Sequence, residues 1–239
     1  EILPEIKDNA TTMGHVNVQL KPGTAYEYLY STNSLKEITA DTEKLGENLT
    51  ASMQDGKLEI KERTNNKQVL SAQQSFGTNM IPQFCKTYNE KTGRKVVAVF
   101  VARGGQEIAN FLPRDELIEN SSSYKRDNTK VDSYIYETMK EKYLSALNYL
   151  KDNGYSIGRK LYVAFQGESD RAYATKDKDY ATKYYNRFLS VHNHLKTDLK
   201  IDFGAVVYNG GAYKEGDKYD EGLKRIYEAQ KKLVVEEKD

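Results

Sequence analysis

From residue 78 onward, this chain alternates between two kinds of apolar spacing, and that alternation most limits the fold it can adopt. Residues 79–89 place Ile81, Phe84, Cys85 and Tyr88 at three- and four-residue intervals, the spacing of a helix with one buried face. Lys91-Thr92-Gly93 follows, and glycine is the usual helix stop. Lys95-Val96-Val97-Ala98-Val99-Phe100-Val101-Ala102 is then a continuous β-branched apolar run, as expected of a central strand covered on both faces.

The pattern repeats down the chain. Residues 132–153 predict a helix whose stripe is Ile135, Met139, Tyr143, Leu147 and Leu150, closed by Asn153-Gly154. Residues 161–165 predict a second buried strand, and 180–195 a helix carrying Tyr184, Phe188, Val191 and Leu195. A third strand is expected at 201–208 and a last helix at 220–233. Strand, helix, strand, helix, strand is the order of a parallel sheet with helices on both faces. The expected fold class is α/β: a flavodoxin-like, three-layer α/β/α sandwich around a parallel sheet of about five strands.

The first 75 residues follow another rule. Ala25-Tyr26-Glu27-Tyr28-Leu29-Tyr30 and Leu35-Lys36-Glu37-Ile38 flank Ser31-Thr32-Asn33-Ser34 and predict a hairpin. Residues 45–73 are polar and rich in Asn and Lys, as a surface excursion would be. No linker divides the chain, so 1–239 reads as a single domain with this hairpin and excursion at about 22–75. A chain of this length can bury roughly 70% of its unfolded surface without disulfides or metals.

Charge and cysteine usage narrow the function. The net charge of +1 gives no field to gather nucleic acid or acidic lipid. No apolar run approaches the roughly 20 residues that span a bilayer. Glu1-Ile2-Leu3-Pro4 does not read as a secretory signal. The single cysteine, Cys85, excludes an internal disulfide and a cysteine zinc site, and its neighbours mark it as a buried structural thiol. Neither G-x-G-x-x-G nor G-x-x-x-x-G-K-[ST] is present, so no nucleotide or flavin cofactor is expected. Tyrosine is abundant, with 19 residues, and tryptophan absent; exposed tyrosines suit contact with sugar or protein, although composition alone could account for them.

Ligands of an open parallel sheet bind at the carboxyl ends of its strands. Two unusual segments lie at such ends. Ala102-Arg103-Gly104-Gly105-Gln106-Glu107-Ile108 follows one strand, and paired glycines let backbone N–H groups approach a ligand as an oxyanion hole requires. Gln166-Gly167-Glu168-Ser169-Asp170 follows the next strand; the Gln166 amide can donate to a developing oxyanion without bringing charge into the site. The plain alternatives are a strand-to-helix turn at Gly104-Gly105, a helix cap at Asp170 and a solvated carboxylate at Glu168. Two such segments on one rim favour a site, with Glu168 and Asp170 supporting it.

The second segment carries a resemblance. Ala164-Phe165-Gln166-Gly167-Glu168-Ser169-Asp170 resembles the Q-G-E-S-D block of the SGNH-type carbohydrate O-acetylesterases, the group that includes sialate O-acetylesterases and acetylxylan esterases. Pro22-Gly23-Thr24-Ala25-Tyr26-Glu27-Tyr28, the double glycine, and Phe76-Gly77-Thr78-Asn79-Met80 resemble it too, so the likeness spans roughly residues 20–235. It implies an SGNH-hydrolase-like fold, an acetylated carbohydrate as ligand, no cofactor, and a bacterial protein at the cell surface or outside the cell. It also implies an oxyanion hole built from Gly104 or Gly105 and Gln166.

The same resemblance exposes two gaps. The family's serine nucleophile stands in a G-Q-S-N block near the N-terminus; here Asp8-Asn9-Ala10-Thr11-Thr12-Met13-Gly14 is the best-placed stretch and puts Ala10 at the nucleophile position. The family's base comes in Asp-x-x-His, and no aspartate here has histidine three residues later. The histidines are His15, His192 and His194. His15 is the candidate base, while His192 and His194 read as surface residues pointing to different helix faces. The family would add a strand and the Asp-x-x-His loop after Val235, which leaves open a C-terminally incomplete chain, whether truncated, nicked or lacking segments, and a natural degenerate relative. Two functions stay open: an O-acetylesterase completed from elsewhere, and a non-catalytic module that binds glycan or protein on a degenerate esterase scaffold.

Overall fold

The computed structural model describes residues 18–40, 45–47, 49–62, 80–103, 105–120, 134–208 and 220–237. The predicted N-terminal hairpin is present as strands β1 (Ala25–Leu29) and β2 (Ser34–Glu37), antiparallel with Tyr28 opposite Leu35. Asn33 turns between them at φ +45°, a left-handed value that asparagine tolerates. A second antiparallel pair follows, β3 (Leu49–Gln54) and β4 (Lys57–Glu62), inside the segment expected to be an excursion. Its signal was Asp55-Gly56: both residues have positive φ, 49° and 76°, the geometry a two-residue hairpin turn demands.

Helix α1 (Met80–Thr92) matches the spacing of Ile81, Phe84, Cys85 and Tyr88 and ends at Gly93, whose φ is +68°. Cys85 is fully buried, and burial pushes its thiol up to about 11, as befits a packing residue. Strand β5 is only Val96–Ala98, not the eight residues expected, and all three are half-buried. It runs parallel to β1, Ala25 opposite Val96. Among the described residues no strand pairs with its other edge, and without a second ladder the apolar run from Val99 does not continue as strand.

A short 3₁₀ turn (Ile108–Phe111) and helix α2 (Arg114–Asn120) lead to helix α3 (Ile135–Asp152). Strand β6 (Leu161–Ala164) is followed by the six-residue helix α4 (Arg171–Lys176) and by α5 (Tyr180–Leu199). Strand β7 (Phe203–Val206) then lies parallel to β6, with Leu161 opposite Phe203, and helix α6 (Asp220–Glu236) ends the described chain. The architecture is mixed α/β: six α-helices with three small sheets, of order β2-β1-β5, β3-β4 and β6-β7, among the described residues. Of the parallel sheet expected from the sequence, the described residues show two parallel pairs, β1·β5 and β6·β7.

Two apolar centres hold these pieces. The larger surrounds α5, which buries Tyr180, Tyr184, Phe188, Val191, Leu195 and Leu199 at helical spacing against Ile108, Leu112, Ile226 and Leu233. Each such side chain contributes roughly 1.5–3 kcal/mol relative to staying in water. The smaller joins Ala25, Ile38 and Leu45 to Cys85 of α1. Helix α3 faces both. Its Met139 and Tyr143 pack on the larger centre, and its Lys142, with no exposure at all, sits 2.6 Å from Glu47 beside the smaller.

Candidate functional site

Strand β6 delivers residues 166–170 to the start of α4. Gly167 there has φ +133°, and a Cβ would stand 2.9 Å from Ile226 Cγ2 and 3.3 Å from Gln230 Nε2. Only glycine lets α6 approach this closely, so the block's glycine serves the packing of two elements.

Asp170 is completely buried and stands at the N-cap position of α4, but its side chain makes no capping bond. Its carboxylate instead accepts the Ile108 N–H at 2.9 Å, the Gln166 Nε2 at 2.5 Å and the Tyr180 hydroxyl at 2.8 Å. The residues after the double glycine and the Q-G-E-S-D block are thus clasped together. Burial pushes the Asp170 carboxyl up to about 7, against its three donors, and nearby Glu107 pushes the same way. Glu107 is itself buried and lies 3.2 Å from the Tyr180 hydroxyl and 4.0 Å from Arg187.

Two proton arrangements are open to Asp170 and Tyr180. With Asp170 protonated, its O–H donates to Tyr180, whose own hydroxyl then turns to Glu107; with Asp170 ionised, Tyr180 donates to Asp170.

Gln166 is turned inward. Its amide nitrogen reaches Asp170 and, at 3.3 Å, the Gln106 carbonyl, while its amide oxygen accepts from Tyr184 at 2.8 Å. Gln230 of α6 donates to the Gln166 backbone carbonyl at 2.7 Å and to Tyr184 at 2.8 Å. The donor that resemblance assigns to an oxyanion is committed to two acceptors inside the protein. Gly105 is adjacent, exposed, at φ +73°, with open space where a Cβ would be. Glu168 is exposed at the rim and does not join the network among the described hydrogen bonds. Gly104, Ala10 and His15 lie outside the described residues.

The other two histidines correct the sequence reading. His192 is not a surface residue: it is buried, with Nδ1 2.7 Å from the Tyr162 hydroxyl of β6. His194, half-buried, pairs through Nε2 with Glu116 at 2.6 Å, and Ser190 donates to the same carboxylate at 2.7 Å. Serine and histidine here both bind the acid rather than each other, so they do not form a nucleophile–base pair. Sequence reasoning missed Glu107 and Tyr180, whose role depends on two distant elements meeting. Among the described residues no group of His, Cys, Asp and Glu could hold a metal, and no helix is long and apolar enough to cross a membrane.

Compared with known proteins, the chain matches no family model, no curated protein and no solved structure.

Proposed function

We propose that this chain is a carbohydrate-binding module built on the scaffold of the SGNH-type carbohydrate O-acetylesterases, acting outside the cell and without ester cleavage. The observation that carries the reading is the Gln166 amide, whose nitrogen is bonded to Asp170 and to the Gln106 carbonyl. An oxyanion hole needs preorganised donors left free for the reacting oxygen. Ala10 adds to this, since a methyl at the nucleophile position cannot attack a carbonyl.

The scaffold itself belongs to the same proposal. The pairs β1·β5 and β6·β7 are both parallel, with helices in the intervening chain, as segments of one parallel sheet between helix layers would be. The Q-G-E-S-D block at the end of β6 supports the family, and its buried clasp supports a structural use of that block.

The test is hydrolysis of an aryl acetate together with calorimetric titration of plain and acetylated glycans. A rate equal to buffer with measurable glycan binding is the expected result. Turnover above buffer would return the chain to the esterases, for which the open Gly105 next to Gln106 is the favouring feature. Absence of binding to any glycan would end the carbohydrate reading.

A further inference from the structure

The second hairpin is a sheet of its own: among the described residues no strand pairs with the outer edge of β3 or of β4. A two-stranded ribbon is marginal alone, and an open edge is a template for another strand. The hairpin's two faces differ in character. Ala51 lies opposite Ile60 and Met53 opposite Leu58, so these four share one face, while Lys57, Glu59 and Lys61 share the other.

Turn geometry decides which backbone groups each edge offers. Asp55-Gly56 is a two-residue turn, so Gln54 and Lys57 exchange hydrogen bonds across it. The alternation of an antiparallel ladder then makes Ser52·Glu59 and Thr50·Lys61 the next bonded pairs. Leu49, Ala51 and Met53 therefore turn their N–H and C=O groups to the outer edge of β3, and Leu58, Ile60 and Glu62 theirs to that of β4. The edge of β3 meets the body of the protein, where Arg103 donates to the Leu49 carbonyl at 2.9 Å. The edge of β4 carries Lys57, Lys61 and Glu62, all exposed.

We infer that β4 is a self-association edge: two copies of this chain join β4 to β4, antiparallel about a two-fold axis, into one four-stranded sheet. Lysines on an edge normally repel a second strand, so the charges must fit. Outward groups of the two copies bond only where even-numbered positions face each other, which leaves few registers. Centred on Glu59, Lys57 would face Lys61 of the second copy and Glu59 its own counterpart, like charge on like. Centred on Ile60, Glu59 would face Lys61 but Leu58 would be set against Glu62. Centred on Leu58, Lys57 faces Glu59 and Asp55 faces Lys61, each twice by symmetry, while Leu58 meets Leu58 on the apolar face. Lys61 and Glu59 are already paired within the strand at 2.6 Å, so the second copy extends that pair into an alternating row. The association is independent of the carbohydrate reading above.

Sedimentation velocity of the full chain tests it. One strand pair buries less than the roughly 1,200 Å² of lasting interfaces, so a dimer dissociating at about 10–100 μM is expected. Ile60→Pro removes an outward N–H and leaves the hairpin's own ladder whole; it should weaken the dimer about tenfold, with circular dichroism unchanged. Lys57→Glu and Glu59→Lys each set like charges opposite one another and should be monomeric alone. Mixed together, the two charge variants face each other with opposite signs and should recover the dimer. A chain that stays monomeric at about 500 μM overturns the inference. So does a dimer that survives Ile60→Pro and both charge variants. Charge variants that stay monomeric on mixing overturn the register centred on Leu58.

Discussion

Two buried carboxylates in this molecule live in opposite ways. Glu47 lies beside a cation: burial pushes it up, but Lys142, Ser31 and Tyr30 outweigh that and hold it below the usual carboxylate range. Asp170 is surrounded by neutral donors alone, and burial wins, holding its proton to about pH 7. The difference teaches what a buried acid needs to stay charged. Three good hydrogen bonds are not enough where a cation is lacking and a second acid, Glu107, stands nearby.

The strongest way to break the contrast is to take the cation from the first cluster. Lys142→Met should strand Glu47 as an uncompensated buried charge and cost about 3–5 kcal/mol in urea denaturation. Adding Glu47→Gln should recover much of that loss. A double variant no better than the single would mean the pairing is not what holds the hairpin loop to α3.

The pH response sharpens it next. Asp170 binds its proton up to about 7 when folded and up to its ordinary 3.8 when unfolded. Between those values the folded chain carries the extra proton, so this residue's contribution is full below about 4 and lost as pH rises through 7. The loss over that whole span is on the order of 4 kcal/mol, at about 1.4 kcal/mol per pH unit. Glu47 runs the other way, its stabilisation present above the ordinary carboxylate value and lost on acidification below it. Denaturation midpoints at pH 5.5 and 8 should fall with pH in the parent and change less in Asp170→Asn. Equal slopes in both would refute the assignment.

Gly167→Ala should have the smallest effect of the three, about 1–3 kcal/mol, from its positive φ and the 2.9 Å approach to Ile226. Thermal melting reads it, and an unchanged midpoint would show that α6 can move aside.

Local pattern made much of this visible in advance. The hairpin at Ser31-Thr32-Asn33-Ser34, the α1 spacing around Cys85 and the α5 stripe depend on neighbours in sequence, and the structure has them. The stripe of α3 was incomplete: it omitted Lys142, because a lysine reads as solvent-facing until a distant Glu47 is brought to it. Val99-Phe100-Val101-Ala102 read as strand from composition, yet a strand exists only where a partner supplies its hydrogen bonds. The Q-G-E-S-D block was legible as unusual. The direction of its amide was not, since that is set by Tyr184 and Gln106, which sequence spacing does not bring together.

Gln230 donates to the Gln166 carbonyl across 64 residues. During translation at about 5–20 residues per second, the Gln166 segment would emerge roughly 3–13 s before the side chain that completes its wiring. Through that interval a nascent chain holds the Gln166 carbonyl and the Tyr184 hydroxyl without the Gln230 donor that joins them, so the packing of α6 on this network is a late event.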